Sequence, residues 1–387
     1  MRAQDQRLYL DWNATAPVLE SAWQAMSQAL REVPGNASSV HREGQAARAI
    51  VERARRSVAA AVGAPSQAVI LTGGATESNN QVLKDHVATT QDPRIVCSAV
   101  EHPSVLEVTE ALETQGVSCE VWPVDERGRL QMDWLDARLD EGVTLVSVMW
   151  ANNEMGNIYP IPEIAERVHE AGALLHVDGT QALGRIPVDF DDCGADLMTL
   201  SFHKMGGPKG IGATVVREGL KVGALLAGGH QERGRRPGTE NVPAAAGLDA
   251  AMKECVREVE RWNRVLKGHR QAFMETLVSE SEEVTFRGDV ERQLPNTVNA
   301  AFPGVDGEDL LMALDLEGIS ASSGSACTAG SLEPSHVILA MGFDKERARE
   351  SVRFSFGPAT SREELVEGAR QIAEMARRLR ALKADWR

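Results

Sequence analysis

Short apolar runs rich in β-branched residues alternate with amphipathic stretches between about residue 65 and residue 217. The runs occupy residues 69–72, 94–100, 117–124, 144–150, 174–178, 196–201 and 211–216. The stretches 77–87, 105–115 and 161–170 have apolar residues at helical spacing, and Gly116 and Gly172 stand where helix ends favour glycine. This alternation is typical of βα units, so it predicts an α/β domain with a mainly parallel, seven-stranded sheet.

The pattern changes after Pro243, where apolar residues at helical spacing continue to about residue 278. Two further strand-like runs, 297–302 and 351–356, enclose another helical stretch, and a last helix is predicted over 361–383. This part predicts a second, smaller α/β domain. We place the boundary inside the long helix, so that residues 15–260 form the large domain and residues 1–14 and 261–387 form the small one.

Composition and charge exclude several classes of protein. The hydrophobic fraction of 43% and the charged fraction of 25% are ordinary for a globular chain. The formal net charge of −15 argues against a nucleic-acid-binding surface, since the one basic cluster is residues 233–236. The first residues lack the apolar core of a signal peptide, and no apolar run reaches the roughly 20 residues of a membrane span. A cytoplasmic location without a membrane partner is expected.

The five cysteines have neither paired nor metal-like spacing, which argues against a disulfide framework and a zinc site. Four of them are interpreted as small buried apolar residues: Cys97, Cys119, Cys193 and Cys255. Cys327 differs because it lies in the small, polar, glycine-rich segment 322–331, which predicts an exposed loop. A thiolate on such a loop suits sulfur transfer, although an accidental exposed thiol is the alternative.

Ligands of open α/β sheets collect at the carboxyl ends of the strands, and the predicted strands end in polar residues there. Gly73-Gly74-Ala75-Thr76 opens a helix and provides the backbone N–H groups and hydroxyl that suit a phosphate, although an ordinary helix start would look the same. Lys204 directly follows a strand, and Asp178 ends another. Pyridoxal phosphate needs both a lysine for its aldehyde and a carboxylate for its pyridine nitrogen, so the pair favours that cofactor over a solvated surface lysine.

His102 follows a third strand and is, taken alone, best interpreted as a structural histidine. With a flat cofactor between Lys204 and Asp178, it becomes a candidate for stacking on the ring and donating a proton.

Many further short motifs are found along the chain. They include Tyr9-Leu10-Asp11 with Ala14-Thr15-Ala16-Pro17, Gly35-Asn36, Thr72 to Asn79, Glu101-His102, Asn152-Asn153-Glu154, His176-Val177-Asp178, Gln181, Ser201 with His203-Lys204, Arg236-Pro237-Gly238-Thr239-Glu240-Asn241, Ser322 to Thr328, Glu333-Pro334-Ser335 and Arg353-Phe354-Ser355. In order and number, over nearly the whole chain, they resemble the NifS/IscS-type cysteine desulfurases. That group belongs to the class V aminotransferases among the fold-type I pyridoxal-phosphate enzymes.

The resemblance implies a PLP-dependent transferase of fold-type I that converts L-cysteine to L-alanine and holds the sulfur as a persulfide on Cys327. Its implied catalytic residues are Lys204, Cys327 and His102. The residues implied to bind pyridoxal 5′-phosphate are Ala75, Thr76, His102, Asn153, Asp178, Gln181, Ser201, His203, Lys204 and Thr239. Asn153 and Arg353 are implied to hold the substrate carboxylate.

Thr239 is implied to reach the cofactor phosphate of a second subunit, which makes a homodimer the expected assembly. The implied partners are sulfur-acceptor proteins such as an iron–sulfur scaffold. Two other functions stay open: a selenocysteine lyase or another class V lyase or transaminase, and a non-catalytic sulfur-relay protein. Phe202 stands where the family usually has glycine, and Met205-Gly206 replaces a bulkier pair.

Overall fold

A computed structural model describes residues 7–281, 283–323 and 334–385. Its strands are β1 Leu8–Tyr9, β2 Val69–Thr72, β3 Arg94–Ser98, β4 Ser118–Trp122, β5 Leu145–Met149, β6 Leu174–Asp178, β7 Leu197–Ser201, β8 Gly212–Val216, β9 Thr285–Phe286, β10 Thr297–Ala301, β11 Ile319–Ser320 and β12 Ser351–Ser355. Its α-helices are α1 Glu20–Glu32, α2 Arg42–Ala61, α3 Ala75–Thr89, α4 Pro103–Glu113, α5 Met132–Leu139, α6 Ile161–Glu170, α7 Val242–Glu280, α8 Gly307–Leu316, α9 His336–Ala340, α10 Lys345–Arg349 and α11 Arg362–Asp385. None of the helices in these ranges is long and apolar enough to cross a membrane.

The large sheet has seven strands in the order β2-β8-β7-β6-β5-β3-β4. Six strands run parallel, and β8 runs antiparallel to both β2 and β7. All seven lie within the predicted ranges, so the predicted α/β fold with a mainly parallel sheet is confirmed. The central strands β5, β7 and β8 are buried along their whole length, which explains their continuous apolar runs.

The buried apolar residues form two main clusters that meet along α7. One surrounds the large sheet and takes residues of α7 as far as Cys255. The other contains Leu266, Phe273 and Leu277 of α7, together with residues of β10, β12, α8 and α11. Leu8 and Leu10 pack in this second cluster, because β1 pairs in parallel with β11. We propose that the boundary between the large and small domains lies in this part of α7, near residue 260.

Several helices lie outside the sequence predictions, above all α1, α2 and α5. The buried residues of α1 are Ala22 and Ala29, and in α2 small residues such as Ala47 and Ala54 make up half of the buried positions. Small residues give a weak periodic signal even when they are fully buried. The spacing of large apolar residues therefore did not predict these helices.

Candidate active site

The polar strand ends surround a cavity of about 890 Å³. Ten of the predicted site residues line it: Ala75, Thr76, His102, Asn153, Asp178, Gln181, Ser201, His203, Lys204 and Arg353. Two others do not. Thr239 is exposed and lines a smaller neighbouring cavity of about 190 Å³, and Cys327 lies outside the described residues.

Lys204 stands in a short 3₁₀ turn, Phe202–Met205, that follows β7 directly. Its Nζ donates hydrogen bonds to the carbonyl oxygens of Asn13, at 2.8 Å, and of Ala14, at 2.7 Å. The Lys204 carbonyl accepts from the buried guanidinium of Arg185 at 3.0 Å. The backbone is therefore fixed, while the amine lies on the wall of the cavity beside the N-terminal segment.

The turn also explains two residues in which this chain departs from the family pattern. Phe202 is fully buried in the large core, so its side chain points away from the cavity. Gly206 ends the turn at φ +90°, in the left-handed region that favours glycine. A Cβ there would also lie 2.7 Å from Cγ of Leu19.

Asp178 ends β6 as a nearly buried carboxylate. Its Oδ2 accepts from Nδ2 of Asn79 at 2.9 Å, and its Oδ1 accepts from the backbone N–H of Thr180 at 3.0 Å. Nδ2 of Asn79 also donates to Oγ of Ser104, which is 2.9 Å from Nδ1 of His102. A chain of hydrogen bonds thus links Asp178 to His102 across the floor of the cavity.

His102 caps the N-terminus of α4, and its Nδ1 accepts the backbone N–H of Ser104 at 3.1 Å. Burial lowers the pKa of His102, with the nearby Lys204 ammonium acting in the same direction and the Asp178 carboxylate opposing it. An acceptor Nδ1 and a lowered pKa together give a neutral imidazole whose proton is on Nε2.

The first turn of α3 begins after Gly74, whose φ of +149° is in the region that favours glycine. The strand β8 approaches this turn closely, since a Cβ on Gly212 would lie 2.6 Å from Cα of Gly74. The residues of this turn line the same cavity as Ser201 and His203, and the first N–H groups of a helix have no partner within the helix. Burial lowers the pKa of His203 to about 4, with help from Lys204, so this imidazole is neutral and its Nδ1 lies 3.1 Å from Oγ1 of Thr15.

Arg353 lies on β12 and is almost completely buried. Its Nη2 pairs with Oδ1 of Asp11 at 2.6 Å, its Nη1 donates to the carbonyl of Asn153 at 3.1 Å, and its Nε has no partner. Asn153 lies in a turn that the buried Asn152 holds by accepting the N–H groups of Glu154 and Met155. A guanidinium with spare donors and an amide therefore meet at one end of the cavity.

Four cysteines lie within the described residues, and they are buried except for the half-buried Cys119. Burial raises the pKa of Cys97 and Cys255 to about 12 and that of Cys193 and Cys119 to about 11. The structure therefore supports their interpretation as packing residues that stay in the thiol form. No group of side chains within the described ranges is arranged to hold a metal ion.

Three contributors to the site lay outside the residue-by-residue predictions: Asn13, Asn79 and Ser104. Asn79 and Ser104 connect Asp178 with His102, and the Asn13 carbonyl accepts from both Lys204 and Gln181. A signal existed for Asn79, which is a polar residue at a buried position of α3. Asn13 gave none, because it acts through its backbone carbonyl.

The chain is similar in sequence to known proteins over nearly its whole length. The family model of class-V aminotransferases matches residues 8–367. A cysteine desulfurase of Nostoc sp. is 41% identical over 376 residues, covering 97% of this chain and 94% of the relative. The cysteine desulfurase NifS of Azotobacter vinelandii is 38% identical over 381 residues, covering 98% and 95%.

Among solved structures, a NifS-like protein superposes with a TM-score of 0.90 at 33% identity, covering 97% of this chain and 100% of the other. The predicted resemblance and the predicted fold-type I architecture are thereby confirmed. The chain belongs to the class-V aminotransferase family.

Proposed function

We propose that this protein is a pyridoxal 5′-phosphate-dependent cysteine desulfurase, which converts L-cysteine to L-alanine and transfers the sulfur to its own Cys327. The observation that carries this proposal is the meeting of Lys204 and Asp178 in one large cavity. The names of the relatives, cysteine desulfurase and NifS, support the same activity.

The residues present fit the cofactor. Asp178 accepts two hydrogen bonds, whereas a carboxylate offers about four acceptor sites, so it can also hold a protonated ring nitrogen. Oε1 of Gln181 and Oγ1 of Thr180 are buried without a partner at the cavity wall. Unpaired buried polar atoms are costly, and a polar ligand would satisfy them. We assign the phosphate to Ala75, Thr76, Ser201 and His203.

Bound pyridoxal 5′-phosphate supplies an aldehyde that combines with amines and a ring that accepts negative charge from the adjacent carbon. We assign Lys204 to the aldehyde and to proton removal from Cα of cysteine, because its Nζ lies on the cavity wall. Asp178 keeps a proton on the ring nitrogen. His102 stays neutral, which suits a residue that stacks on a ring and donates the Nε2 proton.

We assign the substrate carboxylate to Asn153 and Arg353. A carboxylate can use the unpaired Nε of Arg353 and compete with Asp11 for Nη2. The buried position makes this charge contact strong, because little water screens it.

The thiolate of Cys327 then attacks the sulfur of cysteine. A bond forms between Sγ of Cys327 and the substrate sulfur, and the substrate Cβ–S bond breaks with its electron pair left on carbon. A proton added to that carbon and a proton returned to Cα give alanine. The outer sulfur of the persulfide passes to the thiol of an acceptor protein, for which an iron–sulfur scaffold is the proposed type.

A selenocysteine lyase, or another class V lyase or transaminase, is the alternative with the same cofactor. The purified protein should be given L-cysteine and a thiol reductant while sulfide and alanine are both measured. Equal amounts of the two products support the proposal. Turnover of selenocysteine alone, or equal turnover of cysteine after Cys327→Ala, would favour the lyase. Complete inactivity of cofactor-loaded protein would favour the non-catalytic relay.

A homodimer in the cytoplasm is part of the proposal. Thr239 is exposed and lies outside the cavity of its own chain, which agrees with a contact to a neighbouring subunit. Sedimentation of the cofactor-loaded protein should show a dimer. A monomer with full cofactor occupancy would contradict the role of Thr239.

A further inference from the structure

The phosphate side of the cavity contains an acidic residue. Glu77 lies in the first turn of α3 and lines the cavity together with Gly73, Gly74, Ala75 and Thr76. Its Oε2 accepts the backbone N–H of Gly73 at 2.9 Å. A carboxylate here would repel a phosphate dianion and weaken the attraction that the helix N-terminus provides.

Both oxygens of the Glu77 carboxylate accept a hydrogen bond from the guanidinium of Arg236. Nε of Arg236 donates to Oε1 of Glu77 at 2.9 Å, and Nη2 donates to Oε2 at 3.2 Å. The hydrogen bonds that Arg236 donates to Glu77 raise the pKa of Arg236 above its ordinary value, so the guanidinium is charged at every relevant pH. The ion pair is neutral as a unit, with side chains 27% and 21% exposed.

The backbone of Gly73 makes room for the pair. A Cβ added to Gly73 would lie 2.6 Å from Oε2 of Glu77 and 3.6 Å from Nη2 of Arg236. The ion pair therefore lies directly over the backbone at the start of the phosphate-facing turn.

The segment that carries Arg236 is held in place nearby. Glu232, at φ +49°, and Arg233, at φ +60°, both adopt the left-handed conformation that non-glycine residues rarely take. Glu232 is buried and accepts hydrogen bonds from Arg55 and from the backbone N–H of Leu71 in β2. These contacts of Glu232 hold the backbone of the segment that leads to Arg236.

We propose that Arg236 is a positioning residue that neutralises Glu77, so that the cofactor phosphate binds at a helix start without a net negative charge. The inference rests on the proposed function, since it concerns the phosphate of pyridoxal 5′-phosphate. Arg236 acts through Glu77 and not by contact with the phosphate.

The test is a double-mutant cycle on full-length protein stripped of its cofactor. The variants are Glu77→Gln, Arg236→Gln and the two together, and the control is Arg233→Gln, which removes a charge from the same segment. The dissociation constants of pyridoxal 5′-phosphate and of pyridoxal, which lacks the phosphate, are measured by fluorescence quenching. Competition by inorganic phosphate gives a third measurement without any chemistry on the protein.

Arg236→Gln should weaken pyridoxal 5′-phosphate binding by about five- to tenfold, the scale of one charge at a partly exposed helix end. Glu77→Gln should tighten it by a few-fold, and the double variant should return to within about twofold of the wild type. Pyridoxal affinity and the control should be unchanged. Inorganic phosphate should follow the same order as the cofactor.

A double variant as weak as Arg236→Gln would overturn the proposal, because Arg236 would then act on the phosphate directly. Equal losses for pyridoxal and its phosphate would also overturn it and leave a purely structural role. If Arg236→Gln does not fold, Glu77→Gln alone decides, since unchanged or weaker binding there contradicts the idea. A wild type that binds no pyridoxal 5′-phosphate would instead refute the proposed function.

Discussion

The ion pair between Arg55 and Glu232 is the most deeply buried in the described part of the chain, with side chains 6% and 3% exposed. Nη1 and Nη2 of Arg55 donate to the two carboxylate oxygens of Glu232 at 2.5 and 2.7 Å. Glu232 also accepts the N–H of Leu71 at 3.1 Å, and Arg55 donates to the carbonyl of Val69 at 2.9 Å. The pair joins α2 to β2 and to the segment before Arg236.

Glu232→Gln keeps the shape of the side chain but leaves the buried Arg55 guanidinium without its anion. Removing one partner of a buried ion pair costs about 3–5 kcal/mol. The lower end of that range is expected here, because Glu52 lies 3.3 Å from Arg55 and can compensate in part. We therefore expect a loss of about 3 kcal/mol in the free energy of unfolding.

The assay is urea unfolding of cofactor-free protein, followed by tryptophan fluorescence and circular dichroism at one protein concentration. Glu52→Gln is the matched control, since it removes a carboxylate from the same guanidinium at a site 41% exposed. It should cost below about 1 kcal/mol. Arg55→Gln combined with Glu232→Gln should be less destabilised than Glu232→Gln alone, because no unpaired charge is left. Equal costs for Glu232→Gln and Glu52→Gln would refute the reasoning.

Three further predictions concern the site. Lys204→Ala should abolish alanine production and covalent attachment of pyridoxal 5′-phosphate, measured by amino-acid analysis and mass spectrometry; alanine at the wild-type rate would remove Lys204 from its role. Cys327→Ala should keep cofactor affinity but lose sulfide release, and mass spectrometry of wild type after cysteine without reductant should find added sulfur on Cys327 alone. The third concerns Glu101, whose pKa is raised to about 8 by burial, with Asp178 adding to the shift. Because this pKa lies above the unfolded value, the folded protein keeps a proton that the unfolded chain loses, so stability falls as the pH rises to about 8. The side chain of the Glu101→Gln variant cannot titrate. In urea unfolding of cofactor-free protein, the free energy of unfolding of the wild type should therefore fall relative to that of the variant by at most about 1.4 kcal/mol per pH unit between pH 5 and pH 8.

The large sheet could be predicted because most of its strands are buried along their length, as in β2, β5, β7 and β8, and their sequences are therefore mainly apolar. The positions of Lys204 and Asp178 followed from the same pattern, since parallel strands bring their carboxyl ends to one edge. The helices α1 and α2 could not be predicted in this way, because small residues make up half or more of their buried positions.

The polar contacts of the site follow a different rule. Asn79 contacts Asp178 across 99 positions of sequence, and Lys204 contacts the Asn13 carbonyl across 191. Periodicity within an element carries no information about such pairs. Glu77 and Arg236 belong to the same class, because each is an ordinary charged residue until the fold places them together across 159 positions.

The N-terminal segment shows what these distant contacts achieve together. Leu8 and Leu10 are buried in the second apolar cluster, which also contains Val352 and Phe354 on either side of Arg353. Asp11 pairs with Arg353, and the carbonyl of Asn13 accepts from Lys204 in the turn that follows β7 of the large sheet. Since only one residue separates Asp11 from Asn13, their spacing can vary by no more than the conformations of a few backbone bonds allow. One short stretch of backbone therefore fixes the distance between the group assigned to the substrate carboxylate and the amine assigned to its Cα, although the residues beside them pack in different apolar clusters.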